Sequence, residues 1–119
     1  MDGLEETIGD FCELRHLGGC GDGLEKAHII NKSRLRNVAK ALKYCDAHAE
    51  VLIGVVCHSH NTGRTHDTKA NRAYMLQKRV DLFGFEYVSG IIEGLRALFK
   101  VPPEDLRLDA LLALEANNE

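Results

Sequence analysis

Cys57-His58-Ser59-His60-Asn61 closes a β-branched apolar run, Val51 to Val56, and opens a basic segment. Cys57 and His60 stand three residues apart, the spacing of half a zinc site, one thiolate and one imidazole. Asn61 lies directly against the second of these donors, and its amide oxygen is a hard ligand suited to Mg2+ or Mn2+. Upstream lie Cys12 and Cys20, then Ala27-His28-Ile29-Ile30. Cys12 and Cys20 can supply the complementary pair, although seven residues separate them; Cys12 with His16 is a competing pair. The expected set is Cys3His: Cys12, Cys20, Cys57 and His60 around a structural zinc, a clip from which a small domain draws much of its stability. Cys45 is left over near the end of a basic helix and reads as a buried thiol.

A histidine between apolar residues, as His28 is, is often a satisfied core imidazole. Its place sets it apart: it follows the cysteine-bearing loop and precedes a basic helix and the Cys57 knuckle. Phosphodiester hydrolysis needs a base to activate water and a metal to stabilise the charge that develops on the phosphate and leaving oxygen. An unperturbed imidazole titrates close to neutral pH, which suits the base.

These residues need elements to hold them. Gly18 to Gly23 contains four glycines in six residues and reads as a turn-rich loop. Leu24 to Ile30 reads as a strand. Ser33 is an N-cap for a helix running to about Tyr44, with Leu35, Val38, Ala39 and Leu42 as its apolar stripe and Lys32, Arg34, Arg36, Lys40 and Lys43 around it. Val51 to Val56 reads as a second strand. Thr68 to Phe83 reads as a helix ended by Gly84, with Lys69, Arg72 and Arg79 near one face. Phe85, Val88, Ile92, Leu95 and Phe99 repeat at 3-4 spacing, an amphipathic helix interrupted by Pro102. Leu106 to Leu114 completes a leucine-rich helix. Two short strands and a helix around a metal, with helices behind, make an α+β domain. The expected organisation is one domain over 1–119, with a core at 10–75 and helices at 85–115 that pack on it or pair with a second copy.

The chain has 119 residues, 45% hydrophobic and 28% charged, ordinary values for a globular protein. It has no long apolar run and an acidic start, Met1 to Glu6, so neither a membrane span nor a signal peptide is expected. That points to the cytoplasm of a bacterial or phage-infected cell, where four cysteines read as metal ligands or buried thiols rather than as disulfides. The net charge of −3 conceals an asymmetry: Lys26 to Arg79 holds 11 Lys and Arg against 3 Asp and Glu. Such a segment is the footprint of a phosphate-backbone binder, or else a solvated basic face balanced by acidic helices.

The order C-x7-C, A-H-I-I, then C-x2-H-N resembles the HNH endonucleases, the ββα-metal nucleases. The phage-type, zinc-containing members of the recombination endonuclease VII kind look closest, because in them an asparagine directly follows the last zinc ligand. The resemblance covers roughly residues 10 to 75. It implies a DNA endonuclease with His28 as general base and Asn61 on the catalytic Mg2+ or Mn2+. It implies that Cys12, Cys20, Cys57 and His60 hold the structural zinc. It implies phosphate contacts from Arg64, Lys69 and Arg72, and from Lys32, Arg34, Arg36 and Lys40. The chain departs from the pattern at Ala27, where many members carry a metal ligand. His66 is the first substitute, with Asp46, His58 and Asp67 behind it. The competing reading is a zinc-stapled DNA-binding module without cleavage. A redox or metal-sensing protein is a third, opposed by the absence of any C-x-x-C.

Overall fold

The computed structural model describes residues 11–21, 23–30, 38–63 and 65–98. Expectations for Ser33, Leu35, Phe99, Pro102 and the helix over Leu106 to Leu114 lie outside these residues. So do those for Lys32, Arg34, Arg36 and Arg64.

A 3-10 turn over Arg15–Leu17 leads through the glycine loop into strand β1, Leu24–His28. Helix α1, Val38–Ala47, and a single turn α2, Ala49–Leu52, precede strand β2, Ile53–Cys57. A short helix α3, His58–Thr62, follows directly, then a 3-10 turn over Thr65–Asp67. Helices α4, Lys69–Phe83, and α5, Phe85–Arg96, complete the described chain. The architecture is α+β, and its two antiparallel strands and adjoining helices are consistent with a ββα-metal fold.

β1 and β2 pair from Leu24 opposite Cys57 to His28 opposite Ile53. Side chains alternate across a strand, so Glu25 and Ala27 share one face with Gly54 and Val56, while Leu24, Lys26 and His28 share the other with Ile53 and Val55. Helix α4 lies very close to Gly54, where an added Cβ would stand 2.3 Å from Met75 Cε. Any larger residue at Gly54 would force the Met75 side chain to move. The free edge of β2 takes Glu13, whose N–H donates to the Val55 carbonyl at 2.9 Å.

Three expectations shift. Val51 and Leu52, expected in the second strand, are helical and fully buried. Core packing overrides the strand preference of β-branched residues here. On α1, Ala39 is exposed and the core side is Ala41 and Cys45, with Leu42 and Tyr44 packed at its edge. On α5, Val88, Ile91, Ile92 and Leu95 are buried, but Phe85 is 46% exposed. α1 docks on α5 through Tyr44, whose hydroxyl donates to the Ile91 carbonyl at 2.8 Å. No helix among the described residues is long and apolar enough to cross a membrane.

Candidate metal centre and its surroundings

Cys12, Cys20, Cys57 and His60 converge, their donor atoms all within 4.8 Å of one another. Donors at about 2.0–2.3 Å from a tetrahedral zinc lie roughly 3.3–3.8 Å apart, so four such atoms fit one ion. Cys12 Sγ and Cys57 Sγ each lie 3.3 Å from His60 Nδ1. The other ring nitrogen, Nε2, is 2.9 Å from the Gly18 carbonyl. With Nε2–H donating there, Nδ1 carries the lone pair that faces the thiols, the outer-shell device common at metal-bound histidines. The residues present can hold a metal such as zinc.

Local geometry explains why this sequence makes the cluster. Cys57 ends β2 and caps α3, its sulfur accepting the His60 N–H at 3.4 Å. The Gly21 N–H donates to the same sulfur at 3.4 Å. A Cβ on Gly21 would meet Ser59 Cβ at 2.9 Å, so glycine lets the loop close on the knuckle. Burial works against a charged Cys57, but the backbone N–H groups of His60 and Gly21, with the Cys20 and Cys12 thiols, outweigh it and bring the thiol down to about 6. Cys20 is pushed up to about 11, by desolvation first and by its hydrogen bonds to Cys12 and Cys57.

The structure also decides between Cys20 and His16. His16 leaves the cluster and stacks on Tyr74, ring centroids 4.3 Å apart. Its pKa is lowered, by burial first, then by Lys78 and His60. Cys45 is fully buried in the core, where burial pushes its thiol up to about 11.

The cysteine loop is pinned by a contact that sequence reasoning missed. Glu13, next to Cys12, is 2% exposed and receives two bonds from Arg79, at 2.6 and 2.8 Å. Its Oε2 also accepts the Val55 N–H at 2.8 Å. Arg79 donates further to the Met75 and Ile53 carbonyls. Arg72, expected to contact phosphate, is also fully buried and donates to the carbonyl and side chain of Asp67. This corrects the reading of α4: the face that holds Arg72 and Arg79 points inward. Buried guanidinium groups need paired acceptors, and both have them. Lys40 and Lys69 are exposed, as phosphate contacts require.

His66 is buried in the 3-10 turn, and the Asn61 amide donates to Glu25 Oε1 at 2.8 Å. His58 Nδ1 lies 2.5 Å from Glu25 Oε2. These bonds hold the Glu25 carboxyl below its ordinary range, Asn61 contributing most and His58 next. Glu25 went unnoticed in the sequence; its one signal is strand parity with Ala27. His28 lines a separate cavity of about 300 Å³ with Lys26, Asp46, Ala49 and Ile53. By the register, that cavity lies on the face of β1 opposite Glu25 and Ala27.

Compared with protein-family models, curated proteins and solved structures, the chain finds no match in any of the three.

Proposed function

We propose that this protein is a zinc-stapled, metal-dependent endonuclease of HNH type that hydrolyses DNA phosphodiester bonds. The observation that carries the reading is the Cys12, Cys20, Cys57 and His60 cluster, which clamps the loop before β1 onto the β2–α3 junction and leaves Asn61 as the next residue. His28 is the base that takes a proton from the attacking water. Asn61 would hold a Mg2+ or Mn2+, which would supply charge stabilisation at the phosphate. Lys26, Lys40, Lys43 and Lys69, all exposed, face the DNA backbone.

One observation favours a second reading, a zinc-stapled DNA-binding module without cleavage. His28 and the Asn61–Glu25 pair occupy opposite faces of β1, and Ala27, at the usual ligand position, is buried. Supercoiled plasmid incubated with zinc-loaded protein and Mg2+ or Mn2+, beside His28→Ala, separates the two. Nicking that is lost in His28→Ala supports the nuclease. Retarded but uncut plasmid under every divalent cation overturns it in favour of the binding module. Nicking that persists in His28→Ala removes His28 as the base.

A further inference from the structure

We infer that Phe11, Arg15 and Leu24 form a stacking site for an unpaired nucleobase, so that the DNA this protein takes is single-stranded or locally opened beside the attacked phosphate. The inference rests on the proposed DNA substrate and names its form; its test does not require cleavage.

A groove of about 340 Å³ opens beside the cysteine cluster, within the ~300–1,000 Å³ of ligand sites. Cys12 and Cys57, both buried, form its floor, and an ion among the sulfurs occupies only that floor. The rim is Phe11, 50% exposed, and Leu24, 46% exposed, with Arg15 beside them. The Arg15 N–H donates to the Cys12 carbonyl at 3.2 Å. That turn brings the guanidinium over the Phe11 ring, 4.3 Å from its centroid. The zinc ligand Cys12 therefore also fixes where Phe11 and Arg15 stand.

An aromatic face, an aliphatic side chain and a guanidinium plane at one rim suit a flat π-system carried on a negatively charged chain. The same alternation of ring and cation repeats at the next residue. His16 stacks on Tyr74 with ring centroids 4.3 Å apart, and Lys78 Nζ lies 5.4 Å from the Tyr74 centroid. The described acids of these segments turn away. Glu13 is buried against Arg79. Glu25 projects to the other face of β1, where Asn61 and His58 bond it. Charge complementarity thus favours a polyanion that carries rings as the occupant of the groove.

The strand ties this groove to the proposed base. Leu24, Lys26 and His28 share one face of β1. Leu24 lines the groove, while Lys26 and His28 line the cavity that also holds Asp46. At about 3.3 Å per residue, Leu24 and His28 stand about 13 Å apart. That is about four nucleotides at the ~3.4 Å rise of a stacked strand, and fewer in an extended one. A DNA strand laid along this face sets a phosphate at His28, passes Lys26 and delivers a base to Phe11. A base inside a duplex is stacked on both faces, so only an unpaired base can fill the groove face-on.

The experiment follows the fluorescence anisotropy of a labelled DNA strand of about 12 nucleotides, and of the matching duplex, with the zinc-loaded full chain and no other divalent cation. The strand is expected to bind about tenfold tighter than the duplex. Phe11→Ala should lose about tenfold on the strand and nothing on the duplex, and Phe11→Tyr should keep the wild-type affinity. With 5-iodouracil in the strand, ultraviolet crosslinks located by mass spectrometry should fall on Phe11. Equal affinity for the two forms, no binding, crosslinks elsewhere, or a Phe11→Ala that holds the strand as wild type does overturns the site. An RNA strand of the same sequence held about tenfold tighter overturns DNA as its ligand. If Phe11→Ala loses zinc, the wild-type crosslinks alone decide. A strand held at Phe11 but left uncut under every divalent cation sinks the nuclease and leaves the stacking site standing. Nicked duplex with no preference for the strand does the reverse.

Discussion

Replacing Glu13 by Ala tests how the metal loop is held. Arg79 is fully buried and spends two of its donors on Glu13, at 2.6 and 2.8 Å, and others on the Met75 and Ile53 carbonyls. Glu13 also accepts the Val55 N–H, so it joins the loop beside Cys12 to β2 and α4 at once. Without Glu13 the guanidinium keeps its charge in a buried site with only two carbonyls to offset it. Breaking a buried pair by removing one partner costs about 3–5 kcal/mol. Domains of this size are stable by about 5–15 kcal/mol, so the variant should be marginal. With a urea dependence of about 1.5 kcal/mol/M, the midpoint of the zinc-loaded protein should fall by about 2–3 M. Arg79→Met alone should cost a similar amount, because it strands the Glu13 carboxylate. The double variant Glu13→Leu with Arg79→Met should recover most of the loss, since both desolvation costs vanish together. A Glu13→Ala loss under about 1 kcal/mol, or strictly additive single and double variants, would refute the assignment of this pair as the pin of the loop.

Further outcomes follow from the same geometry. Stripping zinc with a chelator should open Cys12, Cys20 and Cys57 to alkylation while Cys45, fully buried in the core, stays protected until the chain unfolds; mass spectrometry showing four thiols reacting together would contradict this. Cys45 also has a pH signature. Its folded pKa is raised, so its contribution is intact below the unfolded value of 9.0 and is lost as pH rises from there to about 11, which denaturation midpoints across that window can follow. His60→Cys should keep about one zinc per chain and His60→Ala should lose it, read by elemental analysis, because a fourth thiolate still completes a tetrahedral shell. On α5, Gly94→Ala should destabilise by about 1–3 kcal/mol, since its Cβ would stand well inside contact distance of the Tyr44 hydroxyl, at 2.1 Å. Gly90→Ala meets nothing within 4 Å and should stabilise by about 0.5–1 kcal/mol. Melting curves showing the same sign for both glycines would count against the α1–α5 packing.

Local chemistry was legible without coordinates. Thr68 caps α4, its hydroxyl accepting the Asn71 N–H at 3.1 Å, and Gly84 ends it at φ 96. Both ends follow from neighbours a few residues away, which is why the sequence alone places them. The Cys57–His60 half-site is likewise a contact of range three. The alternating faces of β1 and the donor types of the knuckle belong to the same local order. What tertiary structure decided are the choices between residues that look alike in sequence. Cys20 rather than His16 completes the cluster, because the glycine loop folds back on α3 while His16 is taken up by Tyr74. Arg72 and Arg79 read as a basic surface and lie inside, because acceptors at Asp67 and at Glu13, 66 residues away, are there to receive them. Val51 and Leu52 read as strand and became helix, since burial against the core outweighed a preference of under about 1 kcal/mol. Glu25, silent in the sequence, meets Asn61 across 36 residues, and only the pairing of β1 with β2 brings them together. Sequence by itself determined the donors and the short elements that carry them, because those depend on torsions and neighbours. The tertiary structure decided which charges are buried and which donors share a site, because desolvation and distance are properties of the whole packed chain.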